Sequence, residues 1–409
     1  VDEKLFGGIV VVIDDDVENK GSNVDKLIRQ VRSSHCPVLT FSQLPSAKEL
    51  KNLRAASFFV VDWNLHNPLT QDSDGLPIAD IPAGLSSSHR MEILEFLRSL
   101  KRTKFSPIFI FTDADVDEVK KVLIEAEIIS DSPNDHIFVM SKAKVVKKGL
   151  SKVLADWVKK VPSAYVLKKW ESEYERAKNE LFIDFYTNSP LWPLIFWKAF
   201  KDDGVIESHE MGAMIGRNLV SRISRFGLKM QPALTQYASE LSAIDGDSRL
   251  MVKKVLEGER FIPKSRLPAN SISTGDLFKK KGSYYLNIRP DCDCIARDGK
   301  SISSTKLYLL EGSKLSNPKE VALFDKRYGH FSEHGAQAIV FGVDGGRTVS
   351  FAMKDLLIQS WGTWKGKRIG RLVGPSLIGV QQKYSAYLQR PGFTRIPGEA
   401  IELTDASTA

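Results

Sequence analysis

Over the first 160 residues, short uninterrupted apolar runs alternate with stretches in which apolar residues return every three or four positions. Ile9-Val10-Val11-Val12-Ile13 is β-branched throughout. Such a run predicts a strand buried on both faces, the pattern of a central parallel strand. Val24, Leu27, Ile28 and Val31 then recur at helical spacing, Val38 to Phe41 reads as a short strand, and Leu44, Ala47, Leu50 and Leu53 as the next helix. Phe58 to Val61 is a third strand ending on Asp62, and Met91, Leu94, Leu97 and Leu100 mark a helix beyond a polar loop. Pro107 to Phe111 leads into Thr112, Val116, Val119, Val122 and Leu123 begin a fourth helix, Ile137 to Met140 is a fifth strand, and Leu150, Val153, Leu154 and Trp157 give a fifth helix. Five β/α units in this order predict an α/β, doubly wound, five-stranded parallel sheet.

The periodicity then changes. After Pro162, a stripe of Val166, Trp170, Tyr174, Ala177, Leu181 and Phe185 continues at helical spacing. It reads either as a joining or dimer helix or as the first core helix of a further domain. Helical segments continue to about residue 260, and Glu210 to Ser224 lacks the short turn that a helix-turn-helix needs, so it reads as packing. From Ser273 the pattern is strand-like. Gly275 to Phe278, a Lys-Lys-Gly-Ser turn and Tyr284 to Ile288 predict one hairpin, and Gln337 to Met353, turning at Asp344-Gly345-Gly346, predicts another. The expected domains are therefore residues 1–161, a helical region over 162–265, and a small mainly β domain with mixed β/α content over 266–409.

Composition narrows the class. At 409 residues, 42% apolar and 26% charged, the chain is that of a folded protein of two or three domains. Its longest apolar runs are too short to span a bilayer and its start shows no export segment. Three cysteines, Cys36, Cys292 and Cys294, are too few to staple a domain, so a reducing cytoplasm is the expected compartment. The net charge of +8 is unevenly spread: residues 1–142 hold 16 Lys and Arg against 22 Asp and Glu, which leaves 42 against 28 for the rest. An acidic first part and a basic second part face different partners.

In a doubly wound sheet, ligands sit outside the carboxyl ends of the strands. Those ends carry Asp14 and Asp15, Asp62, Thr112, and Ser141-Lys142. Three converging carboxylates repel one another unless a hard divalent cation lies among them, and Mg2+ favours such an all-oxygen site. A hydroxyl and an ammonium opposite can hold the oxygens of a phosphoryl group.

Val11-Val12-Ile13-Asp14-Asp15-Asp16, Val60-Val61-Asp62-Trp63-Asn64, Ile110-Phe111-Thr112 and Val139-Met140-Ser141-Lys142, with 47 positions from Asp15 to Asp62, resemble the receiver domain of two-component response regulators. The likeness covers about residues 1–160. It implies a flavodoxin-like fold and Asp62 as acceptor of a phosphoryl group from a histidine kinase or phosphotransfer protein. It further implies Mg2+ held by Asp14, Asp15, Asp62 and the backbone carbonyl of Asn64, with Thr112 and Lys142 on the phosphoryl oxygens. Self-dephosphorylation belongs to the same implication. No separate base is needed, because the acceptor carboxylate is ionised at neutral pH.

The chain departs from that family in four places. Asp113 follows Thr112 where a small residue is usual, and Ala143 follows Lys142 where proline is usual. Val139 stands three before the lysine in place of an aromatic residue, and Phe138 is expected on the opposite face. The interval from Asp62 to Thr112 is also long, with the surplus in His66 to His89. That loop reads either as a shield over the phosphate and a kinase selector or as a tolerated surface insertion.

The second half offers weaker chemistry. Cys292, Cys294, His330 and His334 supply four atoms of metal-ligand type, but with tighter spacing than zinc sites use, so buried or loop cysteines are the default. Residues 360–397 hold seven Lys and Arg, no acid, and Trp361, Trp364, Tyr384, Tyr387 and Phe393. Basic and aromatic residues interleaved in this way suit nucleic acid, although core packing or docking on an acidic protein surface is the favoured reading. No nucleophile with its base, phosphate-cradling loop or metal-hydrolase pair is visible there, so an enzymatic output is not expected. The texture of this half resembles uncharacterised bacterial receiver-linked output modules, some tied to phage defence. The function expected is a receiver that accepts phosphate on Asp62 and controls a noncatalytic C-terminal module. The alternatives are a phosphorylation-controlled nucleic-acid-binding regulator and a phosphate sink, and homodimerisation is open.

Overall fold

The computed structural model of the protein describes residues 6–53, 56–65, 83–130 (without the side chains of 83–89), 135–223, 227–296, 301–392, 396–397 and 400. The chain divides into one unit of Val1–Tyr186 with Asn218–Ala238 and a second of Thr187–Arg217 with Ser239–Ala409. The helices expected as a middle region are thus shared between the two. Among the described residues, no helix is long and apolar enough to cross a membrane.

The first unit is built on β1 (Ile9–Ile13), β2 (Val38–Phe41), β3 (Ala56–Asp62), β4 (Ile108–Thr112) and β5 (Ile137–Ser141), with α1 (Asn23–Ser33), α2 (Ala47–Asn52), α3 (Ala83–Thr103) and α4 (Val116–Glu125) between them. All strand pairs are parallel, in the order β2-β1-β3-β4-β5, the flavodoxin-like arrangement. The unbroken apolar runs follow from two cores. Val10, Val12, Phe58, Val60, Phe109 and Phe111 face one layer, where α1 contributes Leu27 and Val31. Val11, Ile13, Phe59, Val61, Ile108 and Ile110 face the other, against Leu97 and Leu100 of α3 and Leu123 of α4.

After β5 the chain enters α5 (Lys142–Lys148) without a loop, then α6 (Leu150–Lys160) and α7 (Pro162–Asn188). Gly149, at φ +84°, makes the corner between α5 and α6, a backbone conformation that side chains disfavour. Trp157 of α6 lies against Phe138 of β5 at a ring separation of 5.6 Å. The stripe after Pro162 is a single helix: Ala164 joins the first core, and Ala177 and Leu181 are buried farther along. Residues 218–238 return to α7 through Arg222 on Asp184 at 3.0 Å and through the Lys229 amide, which donates to the Tyr165 hydroxyl at 3.2 Å.

Helices α8 (Trp192–Asp202), α9 (Glu207–Arg222), α10 (Gln231–Gln236), α11 (Ala238–Ser242) and α12 (Gly246–Arg260) follow. The segment 210–222 lies inside α9 as continuous helix, without the short turn of a helix-turn-helix, but none of its residues is buried, so the packing expected of it is not what it shows. The second unit then adds β6 (Phe261–Pro263), β7 (Asp276–Lys280), β8 (Ser283–Asn287), α13 (Asp291–Cys294), β9 (Lys306–Lys314), α14 (Asn317–Leu323), β10 (Phe324–Asp325), β11 (His330–Phe331), β12 (Gln337–Val343), β13 (Arg347–Ser360), α15 (Trp361–Trp364), β14 (Arg368–Leu372) and α16 (Gly374–Leu388). Seven strands form an antiparallel sheet in the order β12-β13-β9-β8-β7-β14-β6, and β10 and β11 form a separate ribbon. Both expected hairpins are present, β7 with β8 and β12 with β13.

Part of the basic segment 360–397 folds inward, while Lys365 and Arg390 stay exposed. Trp361 and Trp364 are buried with Phe278, and Arg368 and Arg371 are buried on either side of Asp276. Arg371 Nε donates to Asp276 Oδ1 at 2.8 Å, and Arg368 Nη1 lies 3.5 Å from Oδ2. Arg368 also donates to the carbonyls of Pro268 and Ser271. Lys367 donates to the Thr363 carbonyl, Leu377 and Val380 join the core, and Phe393 lies outside the described residues. The buried charges need partners, and Asp276 meets that need for both guanidiniums. Gly370 of β14 packs so closely on β6 that a Cβ would fall 2.1 Å from the Phe261 ring.

Asp276→Asn leaves two buried guanidiniums without an anion. It is expected to destabilise the second unit by about 3–5 kcal/mol in urea unfolding, the range for a broken buried pair; a loss below about 1 kcal/mol would show that water already compensates these charges.

Candidate functional site

Parallel register builds the site. It sets Ile13 beside Val61, Asp62 beside Phe111 and Thr112 beside Ser141. The residues at these strand ends therefore share one rim of the sheet. Asp14 donates its amide to the Phe41 carbonyl at 3.0 Å and caps the short 3-10 turn Asp15–Glu18, its Oδ1 accepting from the Asp16 amide at 2.9 Å. Asp62 ends β3 with 3% of its surface exposed, against the buried Trp63.

Asp14, Asp15 and Asp62 each present a carboxylate oxygen within 4.8 Å of the others, the one such metal-type group among the described residues. Lys142, buried at the start of α5, reaches both inner acids: its Nζ is 3.0 Å from Asp14 Oδ2 and 3.1 Å from Asp62 Oδ2. Two buried oxygens are left over. Asp62 Oδ1 has no hydrogen-bond partner, and Asp14 Oδ2 is near the ammonium by distance but receives no well-directed hydrogen bond. Unsatisfied buried carboxylate oxygens beside a third acid fit a hard cation with oxygen preference.

The electrostatics agree. Burial, reinforced by the neighbouring Asp14, pushes the Asp62 carboxyl up to about 6, although Lys142 and the Asn64 amide pull the other way. Burial likewise raises Asp14 against the pull of Lys142. For Lys142 itself burial opposes the charge, yet the two carboxylates outweigh it and hold the ammonium above its ordinary range. Three acids face one ammonium, so the cluster is short of positive charge.

Thr112 is fully buried on the same rim, and its hydroxyl accepts from the Ala114 amide at 2.9 Å. Asn64 lies in the turn after β3, and Asp113 is exposed. Phe138 and Val139 do face opposite layers: Phe138 packs toward the core of α1 and α6, Val139 toward that of α3 and α4. The element that sequence reasoning missed is α5. Lys142 is oriented as the first residue of a helix with Ser141 at its cap position. Only Val145 of its seven residues joins the core, which left too little apolar period to read.

The loop expected to shield the site falls largely on residues 66–82, outside the described residues. Cys292, Cys294, His330 and His334 are not brought together as a metal group: Cys294 is buried beside the Asn287 amide at 3.6 Å, Cys292 is exposed, and His330 is on the β10–β11 ribbon. No family model and no curated protein matches the chain.

A carboxyl raised from 3.8 to about 6 in the fold opposes folding above pH 6, and this cost is relieved as pH falls through 6 toward 4. Asp62→Asn is therefore expected to stabilise the metal-free protein at neutral pH by about 1–3 kcal/mol, with the gain gone near pH 4. Thermal melts with and without a divalent cation check this, and the cation should raise the wild-type midpoint far more than that of the variant.

Proposed function

We propose that the first unit is a receiver that takes a phosphoryl group onto Asp62 from a phosphohistidine donor, with Mg2+ as its cation, and that it governs the noncatalytic second unit. The observation that carries this reading is the buried Lys142 ammonium shared by Asp14 and Asp62 at the strand ends, with Asp62 Oδ1 left unpartnered. A carboxylate with one oxygen held by an ammonium and the other bare is poised as a nucleophile. Oδ1 attacks phosphorus, the P–N bond of the donor breaks, and the departing imidazole keeps the electron pair and takes up a proton. Bound Mg2+ supplies the positive charge that lets three acids and a phosphoryl group share the space. Asp14 and Asp15 would hold that ion, with Asp62 and the Asn64 carbonyl completing the protein ligands. Lys142 would turn from Asp14 to the phosphoryl oxygens, and the Thr112 hydroxyl would donate a hydrogen bond to another of them.

The nucleic-acid alternative loses support from Arg368, Arg371, Trp361 and Trp364, all of which are buried. The acceptor chemistry is tested with purified protein, MgCl2 and phosphoramidate or a histidine kinase. Wild type should gain an acid-stable, base-labile phosphoryl group by intact mass, Asp62→Asn none, and Thr112→Ala or Lys142→Gln a form with altered lifetime. Equal labelling of Asp62→Asn would remove Asp62 from the role, and an unlabelled wild type with every donor would remove the reading itself.

A further inference from the structure

The second unit contains a cleft of about 770 Å3 that the phosphoryl site does not involve. Its floor is β12, the terminal strand of the seven-stranded sheet, and its sides come from α12, α16 and the β10–β11 ribbon. The size lies within the roughly 300–1,000 Å3 of small-molecule sites.

One wall is aromatic. Phe324 meets Phe331 edge-on at 5.5 Å, and Phe331 lies 6.0 Å from Phe341. Val321 and Phe324 remain 73% and 42% exposed at the cleft, apolar surface that an occupant would cover. The polar lining is mainly cationic, with Lys253, Arg260, Lys326 and Lys383 against Glu320 and Glu333. Both acids are engaged: Glu320 pairs with Lys253 at 2.9 Å, and Glu333 pairs with Lys383 while accepting from the Ile339 amide. Lys326 forms no ion pair among the described residues. Arg260 donates to the Phe341 carbonyl at 3.1 Å and is 3.7 Å from Glu259, which does not line the cleft. Lys253 and Arg260 stand 5.2 and 6.0 Å from the centre of the Phe341 ring, so positive charge and aromatic surface adjoin at one place.

We infer that this cleft binds a small organic anion with a flat apolar body, the body against Phe331 and Phe341 and the anionic group toward Arg260 and Lys253. The aromatic wall excludes water from the ring of the ligand, and in that setting a charge-assisted hydrogen bond from a guanidinium is stronger than at an open surface. A neutral ligand of the same shape would leave the excess of cations uncompensated. The site is thus a ligand-reading element in the unit that the receiver is proposed to govern, and its occupancy does not depend on Asp62.

The probe is the aromatic sulfonate 1-anilinonaphthalene-8-sulfonate, titrated by fluorescence into the full chain beside its uncharged analogue N-phenyl-1-naphthylamine. Gly379 of α16 lines the cleft, and a Cβ there would meet only open space beyond its own helix, so Gly379→Leu is expected to narrow the cleft while the fold is kept. Leucine also suits a helix better than glycine, so melts of this variant should match or exceed wild type. Gly379→Leu and Arg260→Gln should each weaken sulfonate binding by about tenfold or more, and the uncharged dye should bind wild type more weakly by a similar factor. Unchanged sulfonate affinity in Gly379→Leu overturns the site, placing the dye elsewhere, as on Leu194 and Trp197 exposed along α8. Unchanged affinity in Arg260→Gln, or equal binding of the uncharged dye, overturns the anion preference.

Discussion

The first unit turns on one ammonium group. Lys142 Nζ sits within 3.1 Å of two buried carboxylates that would otherwise face each other with nothing between them. Parallel register brings Asp14 and Asp62 together, because strands whose hydrophobic residues match on two faces must end level with one another. The same packing that removes Val12, Val60 and Phe111 from water also removes the acids, and low solvent access is what makes their charge expensive. Positive charge among these acids is therefore favoured, and the lysine supplies one unit of it beside a cluster that could hold a metal ion.

The lysine is also the first residue of α5, which gives its position a mechanical meaning. The carbonyl of Val146, one turn on, accepts from the Gln30 side chain of α1 at 2.9 Å. Gly149 then passes the chain to α6, and α6 leads to α7 through Val161 and Pro162, with Val161 and Ala164 in the same core. Any rearrangement that draws the ammonium off Asp14 acts on the end of a helix whose other end is fixed to this core. Coupling of that kind requires two discrete arrangements of α5, one for each partner of the ammonium.

Much of this was legible from the chain alone, and the reasons differ by region. The strands of the first unit were readable because each is apolar on both faces, and the acids because they stand where such runs stop. β1 and β2 lie where the pattern placed them, β4 starts one residue later and runs on to Thr112, β5 runs one residue further to Ser141, and β3 is longer at both ends. The hairpins at Lys281-Gly282 and Asp344-Gly345-Gly346 were readable because Gly282, Gly345 and Gly346 adopt positive φ in tight turns. What escaped was set by tertiary context. Arg368 and Arg371 look like surface charge until Asp276, more than ninety positions earlier, is folded between them. The helix at Lys142 carries four lysines and little apolar period, so its burial of Lys142 and Val145 comes from the rim and the core it meets, not from its own sequence.

The Asp276 group also limits how this sequence can change over time. Removing the carboxylate alone strands two guanidiniums, and removing either guanidinium alone leaves the acid undercompensated, whereas replacing all three together by well-packed apolar residues is often neutral or better in a buried network. Single steps away from the present state thus cross a valley although level ground lies beyond it. The three positions form a ratchet: once assembled, they are held in place by the cost of the intermediates and not by any need of the folded sheet for charge.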